Sequence, residues 1–433
     1  MDRRTFLKTR GGLAAGALDP EFLKAASSKI RHIVVCMMEN RSFDHFLGWL
    51  PNANGEQAGL SYVNTSGISY PTHDLAPDST GCGFNDPDHS CSGGRIEYDN
   101  GQMDGFMQTS TADEYCIGYY SEADNQFLPQ FAHNFTACDM YFPSILAPTF
   151  PNRIFQLCGQ TNRLDDSVDP CFYPTIFDHC TEAGVSSAYY YGNVPFLTLF
   201  PIDLLIYTNP FSAFLTACAT GTLPQVSLVD PSFRLVLNTC NDNHPESDIR
   251  NGDAFVAQVY NAVATSPLWD STVLVMNCDE WGGFFDHVPP PRALAPNNTD
   301  PDLVNGEALL GIRFPCVVAS PWTLGNPSNP TVNHTVFDHT SVLKMIESVF
   351  NVQLLAARET SNTIGNVLSL TDLNSKVQAA PELPLPQPFP PQTLCTSGIN
   401  PGGGLVVARE DDESKSFQKL EKAALERGWP VYK

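Results

Sequence analysis

The sequence predicts an α/β protein built around a mainly parallel, doubly wound central sheet. Three nearly continuous apolar runs, at residues 30–38, 271–277 and 314–320, carry that expectation. Strands buried on both faces lose the polar alternation of half-exposed strands. Each run gives way to polar residues and then to a helix-like or loop segment, an alternation that puts functional groups at the carboxyl ends of strands.

Along the chain, residues 1–28 read as an export leader. Arg3-Arg4-Thr5-Phe6-Leu7-Lys8 is twin-arginine-like, and a short apolar stretch follows before Asp19, Glu21 and Lys24 break it. A secreted or periplasmic location is the corresponding expectation. Residues 29–380 form one main domain. Within it, 51–124 is rich in Gly, Pro and Asp and reads as long loops lying over the sheet edge, of the kind that serve as lids. Residues 253–265 and 340–350 have helical periodicity. Residues 381–433 comprise a proline-dense strap at 381–391 and a charged, helix-prone tail at 410–427.

The formal charge of −23, from 24 basic and 47 acidic residues, argues against a nucleic-acid partner, because phosphate backbones are bound by basic surfaces. Thirteen cysteines include the close pairs Cys82/Cys91 and Cys171/Cys180, which suit small disulfide loops in an oxidising compartment, whereas Cys36 and Cys278 sit in apolar runs as buried thiols. The sequons at Asn64, Asn134, Asn297 and Asn333 matter only in a glycosylating source.

Three polar clusters stand at strand or helix ends. Glu39-Asn40-Arg41-Ser42 emerges where the first apolar run stops, placing a carboxylate and an amide oxygen as ligands for a hard cation; alone, the same residues suit a helix cap at Asn40 or Ser42. Asp279-Glu280 ends the second run. Adjacent acids there repel unless a cation or partner neutralises them, and Gly282-Gly283 allow close backbone approach to a ligand. Thr149 lies in Pro148-Thr149-Phe150-Pro151-Asn152-Arg153 at the start of a helix, where the dipole favours an alkoxide or phosphate; alone it suits an N-cap. Together, a hydroxyl and two acidic strand ends supply a nucleophile and metal ligands.

The block from His32 through Glu39-Asn40-Arg41-Ser42-Phe43-Asp44-His45 to Gly48 resembles the opening signature of the bacterial phosphoesterase family, which joins phosphatidylcholine-type phospholipases C and certain acid phosphatases. Asp279-Glu280 followed by Gly-Gly-Phe-Phe-Asp286-His287 resembles its second signature. Asp86-Pro87-Asp88-His89, the Thr149 block and Asp338-His339-Thr340-Ser341 match three more. The resemblance implies an alkaline-phosphatase-like α/β/α sandwich with long lid loops. It also implies one divalent metal ion, held by Glu39, Asn40, Asp279 and Glu280, with Thr149 as a nucleophile whose oxygen touches the metal. Trp281 departs from the small residue usual at its position and is expected at the pocket mouth.

His89 and His244 stand in polar loops and are expected over the sheet end; His287 and His339 are expected just behind the site. The resulting mechanism is double displacement through a phosphothreonine. His244 or His89 protonates the leaving alcohol, and Asn152 holds phosphoryl oxygens. By resemblance, Thr rather than Ser favours phosphatidylcholine cleavage to diacylglycerol and phosphocholine, with transient contact at a membrane surface. Acid phosphatase action on monoesters is the alternative. Tyr189, Tyr190, Tyr191, Phe196 and Trp281 are candidate walls of a choline cage, although Tyr189–Tyr191 equally reads as a buried strand. The Cys/Ser-x-Pro-x-Arg setting of a sulfatase is absent from the Thr149 block.

Overall fold

The computed structural model describes residues 18–233, 240–245, 247–388 and 412–432. Arg3-Arg4 and the last three residues of the proline-dense strap, 389–391, lie outside them. An eight-stranded sheet forms the centre. Its strands are β1 (His32–Met38), β2 (Thr136–Cys138), β3 (Ser187–Tyr191), β4 (Thr208–Pro210), β5 (Val226–Val229), β6 (Thr272–Cys278), β7 (Cys316–Ala319) and β8 (Thr331–Asn333), in the spatial order β8-β2-β7-β6-β1-β5-β3-β4. All neighbours are parallel except around β7, which runs antiparallel to both β6 and β2. The three predicted apolar runs are β1, β6 and β7. Their side chains are almost wholly buried, as expected for strands covered on both faces.

The helices that position the site are α1 (Phe43–Leu47), α2 (Cys91–Tyr98), α3 (Thr149–Cys158), α4 (Ile249–Ala264), α5 (His339–Phe350) and α6 (Asp412–Glu426). Ser42 caps α1: its Oγ accepts from His45 N at 3.3 Å and donates to Phe285 O at 2.6 Å. Asp338 and Ser341 form a capping box on α5. The predicted helices at 253–265 and 340–350 are thus α4 and α5, starting four residues and one residue earlier. Among the described residues, no helix is long and apolar enough to cross a membrane.

The amino-terminal end of the main domain differs from the sequence expectation, whereas the helix expected in the tail is formed. Residues 20–28, placed in the leader, belong to a helix (Pro20–Lys29) that packs on α5 and buries Ala26 completely. The charged tail is docked as α6: Phe417 stacks on Phe233 with centroids 4.2 Å apart and meets Phe150 edge-on at 5.2 Å. Its apolar residues recur with helical spacing, and burial of that face holds the tail on the body.

The short disulfide loops are not formed. Cys91, Cys171 and Cys180 are free thiols, so neither the 82/91 nor the 171/180 pair is closed, although Cys82 itself is disulfide-bonded. Cys171 instead neighbours Cys158, which donates a hydrogen bond to it, and its thiol is held down at about 7 by that bond. Sequence proximity says little about Cβ geometry, which decides pairing. Cys36 and Cys278 are buried free thiols, as expected.

Candidate active site

Adjacent parallel strands bring the site together. Met38 is in register with Cys278, so the residues that follow, Glu39 and Asp279, leave the sheet side by side; Asp230 leaves from β5 on the other flank of β1. The carboxyl edge of three neighbouring strands therefore carries three carboxylates, where open α/β sheets place their ligands.

Thr149 opens α3, with Pro148 as N-cap, so Thr149 is not the cap. Asp166 does that work from a following loop, accepting from Phe150 N at 2.7 Å. The Thr149 hydroxyl is left to reach the sheet edge: Oγ1 lies 3.3 Å from Glu39 Oε2 and 3.2 Å from Asn40 Oδ1. Asn40 adopts a left-handed φ of 41°, and its N–H donates to Asp279 Oδ1 at 3.2 Å. Asp279 Oδ1 also accepts from Glu280 N at 2.8 Å, and Glu280 Oε2 accepts from Gly282 N at 2.8 Å. Glu39, Asn40, Thr149, Asp279 and Glu280 are all fully buried.

The pair Gly282-Gly283 has φ of 68° and 70°. A Cβ at Gly282 would fall 2.2 Å from Asn40 O, and one at Gly283 would fall 2.7 Å from Pro87 Cβ. The close approach expected there is real, but its partners are the Asn40 backbone and the 86–89 turn. The second signature thereby fixes both the Asn40 turn and the loop carrying His89.

Arg153 is a component the sequence reading missed. It lies one turn below Thr149 on the same face of α3. Nε donates to Glu39 Oε1 at 2.8 Å and Asp279 Oδ2 at 3.0 Å, and NH1 to Asp230 Oδ1 at 3.0 Å. The guanidinium stacks over Phe233 at 4.6 Å. Burial works against its charge, but Glu39, Asp230 and Asp279 outweigh it and hold the Arg153 pKa well above its usual value. Tyr189 donates to the other oxygen of Asp230. The i+4 spacing from Thr149 was the available signal.

His89 and His244 do fold over the strand ends. His89 Nε2 is 3.4 Å from Asn40 Nδ2, the two imidazole centroids are 5.7 Å apart, and Asp86 joins them. The His244 loop is tied to β1 by Glu39 N donating to Asp242 O at 2.8 Å and Arg41 Nε donating to Asn243 O at 2.7 Å. His339 Nε2 donates to Asp279 O at 2.8 Å; burial lowers its pKa to about 4, which keeps the ring neutral behind the acid. His287 is apart from this group, bonded at 2.5 Å to Asp44, which also pairs with Arg313 beside Asp286.

Two expectations are corrected. Asn152 uses its amide on the 145–148 loop, accepting from Ile145 N at 3.2 Å and donating to Ala147 O at 2.7 Å, so it braces the loop that leads into Thr149 instead of pointing an amide at phosphoryl oxygens. Trp281 is not at a pocket mouth: it is buried, and Nε1 donates at 2.7 Å to Glu97, whose own pKa burial pushes well up. Of the two readings of Tyr189–Tyr191 the buried strand is the one formed: Tyr189, Tyr190, Tyr191 and Phe196 are core residues of β3 and the turn after it and do not wall a cage.

The donor set fits a cation. Among the described residues, Glu39, Asp230, Asp279 and Glu280 are four acids at or beside the strand ends, and Arg153 bridges three of them. The excess negative charge, presented through carboxylate, amide and hydroxyl oxygens, is the chemistry of a hard divalent ion.

The profile of the Phosphoesterase family matches residues 30–353. Non-specific phospholipase C1 of Arabidopsis thaliana is 31% identical over 431 residues, covering 90% of this chain and 78% of its own. Phospholipase C A of Mycobacterium tuberculosis is 30% identical over 437 residues, covering 81% of each. A solved structure of a protein in the alkaline phosphatase superfamily from Vibrio parahaemolyticus overlays with a TM-score of 0.37 at 10% identity, covering 97% of this chain and 99% of that one.

Proposed function

The chain belongs to the Phosphoesterase family and is a phosphoester hydrolase, and on that premise we propose that it is a phospholipase C cleaving phosphatidylcholine to diacylglycerol and phosphocholine. One contact set carries the reading: the Thr149 hydroxyl faces Glu39 Oε2 and Asn40 Oδ1 at 3.3 and 3.2 Å, beside Asp279. Glu39, Asn40, Asp279, Glu280 and the Thr149 oxygen would hold a divalent cation, whose bound charge stabilises an alkoxide and phosphoryl oxygens.

Thr149 releases its proton toward Glu39 Oε2 as Oγ1 bonds to phosphorus, and the bond from phosphorus to the diacylglycerol oxygen breaks. Arg153 holds Glu39 and Asp279 in place while this happens and lies in the helix-dipole field with Thr149. Negative charge develops on the departing oxygen on the side of His89 and His244, and one of these histidines gives it a proton, so that diacylglycerol leaves as the alcohol. Water then attacks the phosphothreonine and gives its proton to the same histidine; the bond from phosphorus to Oγ1 breaks, Oγ1 takes back the proton held by Glu39, and phosphocholine leaves. Because Thr149 is fully buried, admission of a lipid headgroup requires movement of the covering loops, which also keep water from the nucleophile. The leader residues Arg3-Arg4 support action outside the cytoplasm, in transient contact with a lipid surface.

The test is turnover of phosphatidylcholine vesicles and of an aryl phosphate by the native enzyme, the chelated enzyme and Thr149→Ala. Loss of lipid turnover in both treated samples is expected. Faster turnover of the aryl phosphate with indifference to lipid would replace this reading with that of an acid phosphatase.

A further inference from the structure

Arg41 follows Glu39 and Asn40 in the segment that leaves β1, and its side chain is fully buried. Every hydrogen bond that it makes among the described residues is to a neutral group. Nε donates to Asn243 O at 2.7 Å, and Nη1 donates to His45 Nε2 at 3.1 Å and Tyr115 Oη at 3.2 Å. His45 is neutral because Nδ1 donates to Gly118 O at 2.7 Å while Nε2 accepts; burial, reinforced by the Arg41 charge, holds its pKa well below the usual value. The Phe284 ring lies under the guanidinium at 4.7 Å. A desolvated charge with such partners is a costly way to fill space, and a planar fork of donors is what it supplies in return.

Asn243 O belongs to the peptide unit whose N–H is that of His244. That N–H donates to Asp242 Oδ1 at 3.1 Å, so the plane leading into His244 is held at both ends. The hold opposes a real tendency to relax. Asn243 has a φ of 81°, a left-handed conformation that a residue with a Cβ keeps only when its surroundings fix it. Gly252 of α4 leaves room for this turn, since a Cβ there would fall 1.8 Å from Asn243 Oδ1. Beyond the plane, His244 Nδ1 is 3.1 Å from Pro245 O. A carbonyl oxygen only accepts, so Nδ1 carries a hydrogen and Nε2 is the ring atom that exchanges a proton.

We propose that Arg41 is the positioning residue for leaving-group protonation: it sets the Asn243–His244 peptide and thereby aims the Nε2 proton of His244 at the departing oxygen. This rests on the phosphoryl-transfer reading and assigns the proton to His244. As the bond from phosphorus to the diacylglycerol oxygen breaks, that oxygen keeps the electron pair and takes the Nε2 proton, and the imidazolium returns to the neutral ring. Asn40 and Arg41 are consecutive, so one turn both presents an amide oxygen to Thr149 and fixes the acid that serves the leaving group. Entering and leaving oxygens must stay in line across phosphorus, and a misplacement of about 1 Å costs about 10²-fold in rate.

The experiment compares two esters of the same phosphocholine under single-turnover conditions. Dihexanoyl phosphatidylcholine expels an alkoxide that needs a proton, whereas p-nitrophenyl phosphocholine expels a phenolate that does not. The full-length enzyme is set beside Arg41→Lys, His244→Ala and the double variant. Arg41→Lys, which keeps the charge but loses the fork, should slow diacylglycerol release about 10²-fold more than phenolate release. The double variant should be no slower than His244→Ala, because both substitutions remove one function. Equal slowing of both esters, or losses that add in the double variant, would overturn the proposal and leave the phospholipase reading standing. A His244→Ala enzyme that releases diacylglycerol at the wild-type rate would do the same. NMR of ¹⁵N-labelled histidine rings reads the clamp without turnover: Arg41→Lys should move the His244 signal, identified by its loss in His244→Ala, and an unmoved signal would overturn the proposal. A moved signal in an enzyme that releases neither product would uphold the clamp and sink the phospholipase reading.

Discussion

Arg153→Met tests the electrostatic core of the site most directly. The substitution preserves much of the side-chain volume but removes the guanidinium from between Glu39, Asp230 and Asp279, which are almost wholly buried. Breaking a buried ion pair by deleting one partner costs about 3–5 kcal/mol, because the remaining charge is left uncompensated. With an unfolding entropy of about 2.1 cal/mol/K per residue over 433 residues, that cost lowers Tm by about 3–6 °C. A bound divalent cation offsets part of the same excess charge, so the loss should be smaller in the metal-loaded protein. Differential scanning calorimetry of wild type and variant, each chelated and loaded, measures both quantities. A loss under about 1 kcal/mol, or one identical with and without metal, would refute the argument that Arg153 and the cation neutralise the same carboxylates.

Thr149→Ala should reduce phosphatidylcholine turnover by at least about 10³-fold, and rapid quenching of the wild type should give a phosphocholine adduct on the peptide containing Thr149; an adduct elsewhere, or full activity without the hydroxyl, excludes the covalent route. Gly282→Ala places a Cβ 2.2 Å from Asn40 O at a left-handed φ, so metal affinity by titration calorimetry should fall by about tenfold or more, and an unchanged affinity would mean that this turn does not set Asn40. Stability should fall as pH rises from about 5 to 9. Burial, reinforced by Glu359, holds Glu347 at about 9, and burial holds Glu359 at about 8; acids raised above their unfolded values retain protons that the unfolded chain has lost, so their contribution is complete at low pH and disappears through the folded pKa. Glu347→Gln should flatten that profile in urea titrations, and an unchanged slope would remove Glu347 as its source.

The parts of the fold that were legible in the sequence are those whose signal is local and long. β1 and β6 are seven-residue apolar runs that end abruptly in acids, so both the strands and the ligand candidates Glu39, Asn40, Asp279 and Glu280 stood out. β2 and β8 have three residues each, too few for any periodicity to register. The reversed direction of β7 was equally hidden, because a strand buried on both faces has the same composition whichever way it runs. Thr149 was visible through its flanking prolines and the apolar helix behind it. Asn152 and Trp281 were visible too, but their roles were misjudged, since a residue inside a signature block can serve the loop instead of the ligand.

Asp230 was out of reach for a related reason, and Arg153, despite its i+4 spacing from Thr149, was easily passed over. An arginine in the middle of a helix ordinarily reads as a solvated face, and a lone acid after a four-residue strand carries no pattern of its own. Their meaning appears only when three parallel strands place Asp230, Glu39 and Asp279 at one edge. Register then makes the acids neighbours whatever their separation in sequence, and a single guanidinium one turn below Thr149 can touch all three. The grouping thus follows from sheet topology combined with helix periodicity: the helix that delivers Thr149 to the sheet edge also delivers the guanidinium that holds the three acids together.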